Sequence, residues 1–463
     1  MKKQTRRDFL RLATGAAAGT ALAACVPAAP PAAQPAAPAA AKPAEPVAVS
    51  TTAPPAQPVD LDFWYIWGGD GGKAMEAVSS EFEKRTPGVK MHPLTIGGVI
   101  LDKTIAAYAA GAPPAIVDLI LCAPLAARGA LVEITPFLSA STVIKKENYF
   151  DAQWDGTKWA GRNWGLPANE GLGWLGLIRN RELVQKAGLD ATKPPATFKD
   201  LGLWADAMTT KTSDGRINTL GCEIRGMLTY PDCWSLVMGL RYFDGDALKY
   251  TFNDERWVEA LTTDKSFYDK VGPEKLADFR ASFSGQAIAS PTAAGKVGMW
   301  TSGSWEPGYL AKNAVKGMNW DISFMVDGVG KGALPYFAGT HTMMMLKGGS
   351  TNAVNQAWKF LEYSSTDEYI KKVYDISGFI MGTKSFINSL GSTSQYPGLD
   401  FYLTGLSKAT RIWGLASDPN WYLSWSEFLN LEEAVGFGKI APKEGLTNLQ
   451  KLLTEEYQKL VKK

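Results

Sequence analysis

Chemistry needs nucleophiles, bases or metal ligands, and this 463-residue chain offers few. Its two histidines, His92 and His341, lie far apart, and its four cysteines are Cys25, Cys122, Cys222 and Cys233. No HExxH, CxxC, GxSxG or phosphate-cradling glycine loop occurs, so neither a metal nor a cofactor is expected. A carboxylate pair acting as acid and base stays open, because such pairs assemble only in the fold. Cys122 sits in an apolar run and reads as a small buried hydrophobe. Cys222 and Cys233 either bridge, in an oxidising compartment, or remain thiols. Met343, Met344 and Met345 read as core filling. "FDGDALKYTFNDE" lacks the spacing of a calcium loop and reads as a hairpin. What the chain has in quantity is tryptophan, sixteen in all. An indole offers a flat apolar face and one N–H donor, which suits binding better than catalysis.

The elements that would position these residues alternate between strand and helix. "LDFWYIW" (Leu61–Trp67) reads as an aromatic strand followed by a glycine-rich loop, Gly68 to Gly72. Met75, Val78 and Phe82 then recur at helical spacing until Pro87-Gly88 stops the helix. "VKMHPLTI" carries a proline, which suits an edge strand. Leu101 to Ala110 reads as a helix, "AIVDLIL" as a buried strand, and "APLAARGALVEI" as a helix entering another strand. Further on, "GLGWLGLI" reads as a strand, Asn180 as the cap of a short helix, and Thr197 as the cap of a longer one. Such alternation argues for parallel sheets covered by helices. Some 400 residues of this kind exceed one compact core and suit two lobes.

The first residues are of another kind. Lys2, Lys3, Arg6 and Arg7 precede an apolar run, Leu12 to Ala24, too short and too rich in Gly and Ala to span a bilayer. Thr5 to Arg11 resembles a twin-arginine export signal. Leu22-Ala23-Ala24-Cys25 resembles a bacterial lipobox, which would acylate Cys25. From Val26 to Pro58, 23 of 33 residues are Ala or Pro, so the segment has nothing large to bury and reads as a tether. Losing residues 1–24 removes five basic groups and one acid, taking the formal charge from +2 to about −2. That near-neutral balance, without a basic cluster, argues against nucleic acid as a partner.

Several stretches resemble the family-1 extracellular solute-binding proteins of ABC importers, the group that includes maltose- and oligosaccharide-binding proteins. They are "FWYIWGGDGGKAMEAVSSEFEKRTPGVKM", "AAYAAGAPPAIVDL", "WGLPANEGLGWLGLIRNRELVQKAGLD", "PPATFKDL", "KVGMWTSGSW" and "YFAGTHTMMM", in that order. The resemblance implies an α/β, two-lobe periplasmic-binding-protein-like fold of the class II type, with hinged lobes and a ligand cleft between them. Lobe 1 would comprise 59–165 and about 325–378, lobe 2 166–324 and about 379–463, after a signal at 1–24 and a tether at 25–58. The implied partners are a sugar or oligosaccharide, the transmembrane permease subunits of an ABC importer, and the membrane through lipidated Cys25. The expected place is the outer face of the bacterial cytoplasmic membrane, the periplasm or the cell surface. The chain departs from the family at Ala115, where an aspartate is usual, and in "CAPLAARG", whose only charge is Arg128. Maltose itself is therefore not carried over.

A sugar ring has an apolar C–H face and a hydroxyl rim, so stacked aromatics with polar groups around them would hold it. Trp305 falls on the family's stacking tryptophan; Trp425 aligns with another, with Trp421 its rival. Trp67 either stacks on ligand or caps the core, and Trp300 and Trp234 are further candidates. For the rim, Asp70 occupies the family's carboxylate loop, or else simply shapes a turn. Glu170 follows the crossing between lobes; Tyr230 and Asp232 fall near a family tyrosine that packs on sugar; His341 is either a hydroxyl partner or structural. Two other classes compete: a surface-anchored carbohydrate-active enzyme of the glycoside hydrolase kind, and a structural or sensory surface protein.

Overall fold

Alternating burial sets the first strand, β1 (Val59–Tyr65): Leu61, Phe63 and Tyr65 face the core while Asp60 and Asp62 face outward. The computed structural model describes residues 58–171, 173–223, 228, 230–283, 290–339, 341–390 and 396–461. Residues 1–57, with Cys25 and the stretches expected to form an export signal and a tether, lie outside the described residues. Beyond β1 the chain forms β2 (Val89–Thr95), β3 (Ile116–Leu119), β4 (Leu166–Ala168), β5 (Gly176–Asn180) and β6 (Thr210–Lys211). Then come β7 (Ile217–Cys222), β8 (Val297–Ser302), β9 (Trp320–Phe324), β10 (Pro335–Phe337), β11 (His341–Met345) and β12 (Arg411–Trp413).

These strands make two five-stranded sheets, ordered β2-β1-β3-β11-β4 and β9-β5-β8-β7-β6. In the first, β1 runs parallel to β2 and β3, and β11 returns antiparallel between β3 and β4. Pro93 lies in the edge strand β2, where its missing N–H costs least. All four residues of β3 and all five of β11 are buried. The methionines of β11 have no exposed surface, as core filling requires. In the second sheet β5 opposes β8 and β9, and β8 is parallel to β7.

Each sheet is covered by its own helices. One face of the first packs Phe63, Met75, Phe82, Phe360 and Tyr369 together; the other packs Val117, Leu119, Leu131 and Met344. The second lobe has one large core that includes Trp234, Trp257, Phe428 and Leu453. The helices Thr351–Ser364 and Asp367–Ser377 pack on the first lobe, while the helix Trp421–Gly436 packs on the second. The chain therefore crosses between lobes more than once, and β10 pairs with β12 along one crossing. Strand β4 belongs to the first sheet, so the division expected after residue 165 falls ahead of a strand of lobe 1.

Local signals were obeyed at the helix caps. The Asn180 side chain accepts from the Leu183 N–H, and Thr197 with Asp200 forms a reciprocal capping box. Two expectations need correction, and one open choice is decided. The stretch 69–72 is not a loop but the first turn of α1 (Gly69–Arg85). After the short helix Ala123–Ala126 there is only an isolated bridge, Leu131 to Leu346, and no strand. Cys233 is a buried thiol, so the bridge to Cys222 does not form. The hairpin reading stands, with Phe243–Asp244 paired to Lys249–Tyr250.

Candidate functional site

The direction of β11 brings one set of side chains together. Because it opposes β3 and pairs with β4, its first residue, His341, sits at the carboxyl end of the parallel strands, opposite Ala168. That is the end where open α/β sheets present ligand groups. Trp67 lies two residues beyond β1 and Asn169-Glu170 directly beyond β4. His341 Nδ1 is 2.7 Å from Asp118 Oδ1, and Asn169 Nδ2 donates to Asp118 Oδ2 at 2.6 Å. The Tyr369 hydroxyl donates to Asn169 Oδ1 at 2.7 Å. Glu170 accepts from the Trp67 indole N–H and lies 3.9 Å from His341 Nε2. Burial raises the Glu170 carboxyl above the ordinary range, and the nearby His341 and Trp67 only partly offset it. The Trp67 ring lies between His341, 4.5 Å away, and Phe379, 5.3 Å away.

The second lobe contributes aromatic rings. Strand β8 ends at Ser302, opposite Gly176 of β5, which sets Trp305 and Trp174 side by side. They meet edge to face at 5.7 Å. Trp174 stacks with Phe337, at 5.3 Å, and with Tyr230, at 5.0 Å. Tyr230 in turn packs on Trp425 at 5.0 Å and on Trp421 at 5.4 Å. Burial raises the Tyr230 phenol, and the neighbouring Glu170 and Tyr422 raise it further. Tyr422 packs on the core of the first lobe and feels Asp102 and Asp118. The aromatic wall of one lobe thus faces the carboxylate wall of the other. Two further contacts join the lobes: Lys312 of α2 (Glu306–Asn313) is 3.6 Å from Asp70, and Arg128 Nη1 donates to the Pro419 carbonyl at 3.3 Å.

A family model for bacterial extracellular solute-binding proteins matches residues 77–398. The chain belongs to that family. No curated protein matches the sequence. Among solved structures, CpMnBP1 with mannotriose bound is similar at 23% identity, covering 85% of this chain and 100% of that one, with a TM-score of 0.74. Lmo0181, an ABC substrate-binding protein from Listeria monocytogenes in complex with cycloalternan, gives 19%, 86%, 99% and 0.70. The sugar-binding protein MalE from Xanthomonas citri gives 19%, 87%, 98% and 0.68. At such identities the likeness shows the fold, which is that of two-lobe periplasmic binding proteins. Membership of an extracellular family points to the periplasm or the cell surface. No helix among the described residues is long and apolar enough to cross a membrane.

Within this solute-binding protein the expected site residues divide by burial. Trp305 is 37% exposed, and Trp67, Glu170, Tyr230 and Trp425 are partly buried. Trp300, Trp234, Trp421 and Asp232 are buried in the second lobe. The Trp421 indole donates to Asp232 at 2.7 Å, and the Ala416 N–H donates to the same carboxyl, which burial pushes up to about 6. The Trp300 indole donates to Glu306, the first residue of α2, which fixes the start of the helix behind Trp305. The Trp234 indole donates to Glu432. His341 is also buried, facing Asp118. Asp70 is exposed and engaged by Lys73 and Lys312, which hold its carboxyl below the ordinary range.

Four residues of this arrangement were not foreseen: Trp174, Tyr422, Asp118 and Lys312. Trp174 stands four residues after Glu170 in the crossing segment, and that proximity was the available signal. Tyr422 adjoins Trp421 on a helix, about 100° around the axis, so it turns from the side sealed against Asp232 toward the core of the first lobe. Asp118 inside an apolar strand was a signal of its own, because a carboxylate is buried only with partners. For Lys312 the sequence carries no signal.

Proposed function

We propose that this chain is the substrate-binding lipoprotein of an ABC importer, capturing an extracellular oligosaccharide between its lobes and delivering it unaltered to the permease. The observation that carries this is the pairing of a ladder of rings, Trp305, Trp174, Tyr230 and Trp425, with the Glu170 carboxylate across the cleft. Rings cover the C–H faces of a sugar, and a carboxylate accepts from its hydroxyls. Burying an aromatic face contributes ~1.5–3 kcal/mol, and micromolar affinity needs about 8 kcal/mol, so two or three rings with satisfied hydroxyls suffice. Support also comes from the neighbours, whose structures hold mannotriose and cycloalternan. Trp67, Glu170, Tyr230, Trp305 and Trp425 are the ligand contacts in this reading. Closure is a two-state shift, favoured by a ligand that touches both lobes.

A thermal-shift screen over mannotriose, maltotriose, cycloalternan, monosaccharides and amino acids tests the substrate class. A bound sugar at 100-fold excess over its Kd stabilises by ~2.7 kcal/mol. A shift with amino acids alone, or with no solute, would contradict it. On the lipobox reading the anchor is acylated Cys25, so Cys25→Ser is expected to release the protein from the membrane fraction. If that variant still sediments with membranes, the anchor is not acyl-Cys25.

A further inference from the structure

Asp118 has no exposed surface, yet it is tied to three other parts of the first lobe. Its two oxygens meet His341 on β11 and Asn169 after β4, and Asn169 is held in turn by Tyr369 from the helix Asp367–Ser377. Each of those partners adjoins a group that faces the cleft. His341 packs on the Trp67 ring at 4.5 Å, and its backbone N–H donates to the Glu170 carbonyl at 2.9 Å. Asn169 is the residue before Glu170. Trp67 closes the loop by donating to Glu170. A residue at the centre of such a ring fixes rotamers that no ligand contact could fix alone.

We propose that Asp118 is the positioning residue of the ligand site: by holding the Nδ1–H form of His341 and the amide of Asn169, it sets the Trp67 indole and the Glu170 carboxylate toward the ligand. This rests on the interlobe cleft being the ligand site. A carboxylate suits the place because both neighbours present N–H donors and a carboxylate accepts from both. Asparagine has the same shape but would turn an N–H toward one of those donors. Asp118→Asn therefore forces His341 to change tautomer or Asn169 to turn. Moving the charge one partner along, in the double variant D118N/N169D, restores every match. There His341 donates to the carbonyl of the new amide at position 118. The NH2 of that amide donates to the new carboxylate at position 169, which also accepts from the Tyr369 hydroxyl.

With only two histidines in the chain, ring-nitrogen NMR resolves His341 from His92. The Trp67 indole proton is assigned by its loss in Trp67→Phe. In the ligand-free full-length protein, Asp118→Asn is expected to move both signals, and the double variant to return them. Mannotriose affinity is expected to fall about tenfold in Asp118→Asn, a change of ~1.4 kcal/mol, and to recover in the double variant. A purely structural role would lower the melting temperature and leave the affinity of the folded protein alone. Unmoved signals, or native affinity in folded Asp118→Asn, would overturn the proposal. If Asp118→Asn does not fold, the double variant decides: native signals and affinity support the proposal, and lost affinity in a native fold overturns it. If the wild-type protein takes up neither mannotriose nor any other sugar of the thermal-shift screen, the sugar reading falls, while the two ligand-free signals still decide on Asp118.

Discussion

At the scale of single residues, the site depends on which aromatic faces are covered. Trp174 packs on Phe337 and Tyr230, and Trp67 on His341 and Phe379, which leaves both only partly buried. Trp305 meets Trp174 by an edge and keeps surface of its own. Trp305→Ala is therefore expected to weaken sugar binding at least about tenfold by calorimetry, with the melting temperature nearly unchanged. Equal affinity would remove it from the site. Glu170 makes a pH prediction. Its carboxyl is raised by burial, and ligand hydroxyls donate best to the ionised form. Affinity is thus expected to rise as pH passes upward through that raised value and to fall below it, with Glu170→Gln flattening the profile. A steep profile that persists in Glu170→Gln would assign the dependence elsewhere. Burial is what the sequence could not show here. Trp421 and Trp425 are four apart on one helix and both pack on Tyr230, yet the first has no exposed surface and the second is only partly buried.

At the scale of elements, capping and edge signals were legible because they are local. Asn180, Thr197 and Pro93 satisfy or spare backbone groups within a few residues of themselves. The glycine-rich start of α1 was illegible for the opposite reason. By propensity Gly69 to Gly72 should not begin a helix. A Cβ on Gly71 would stand 2.7 Å from the Trp67 Cβ, so close packing of the helix start on Trp67 requires glycine there. Tertiary contact overrode propensity, and it moved Asp70 from a loop to an exposed helical turn facing Lys312 on α2. That pair joins the lobes, so Lys312→Glu is expected to weaken sugar affinity roughly two- to threefold at low salt and hardly at all at high salt. Exchange of both charges, Asp70→Lys with Lys312→Asp, should recover it. No salt dependence in the difference would mean the pair is indifferent to closure.

At the scale of the whole molecule, the two-lobe architecture followed from length and alternation, and the family followed from the order of its motifs. What those motifs do not encode is the face-to-face placement of the two walls, because Tyr230 and Glu170 meet only through the crossings between lobes. The same crossings leave a second opening, a cavity of ≈ 740 Å³ lined by Phe150, Ala152, Leu403, Leu406 and Ile412 among others. Asp151, Lys384, Asn388, Thr404 and Ser407 also line it, but it holds no tryptophan on which a sugar ring could stack. The measurement that separates the two is a crystal structure grown with whichever sugar stabilises the protein. The account predicts that sugar between Trp305, Tyr230 and Trp425 on one side and Glu170 on the other, with hydroxyl oxygens within hydrogen-bond distance of the carboxylate. Density for the sugar in the Phe150–Leu403 cavity, or on the outer surface of either lobe, would contradict it.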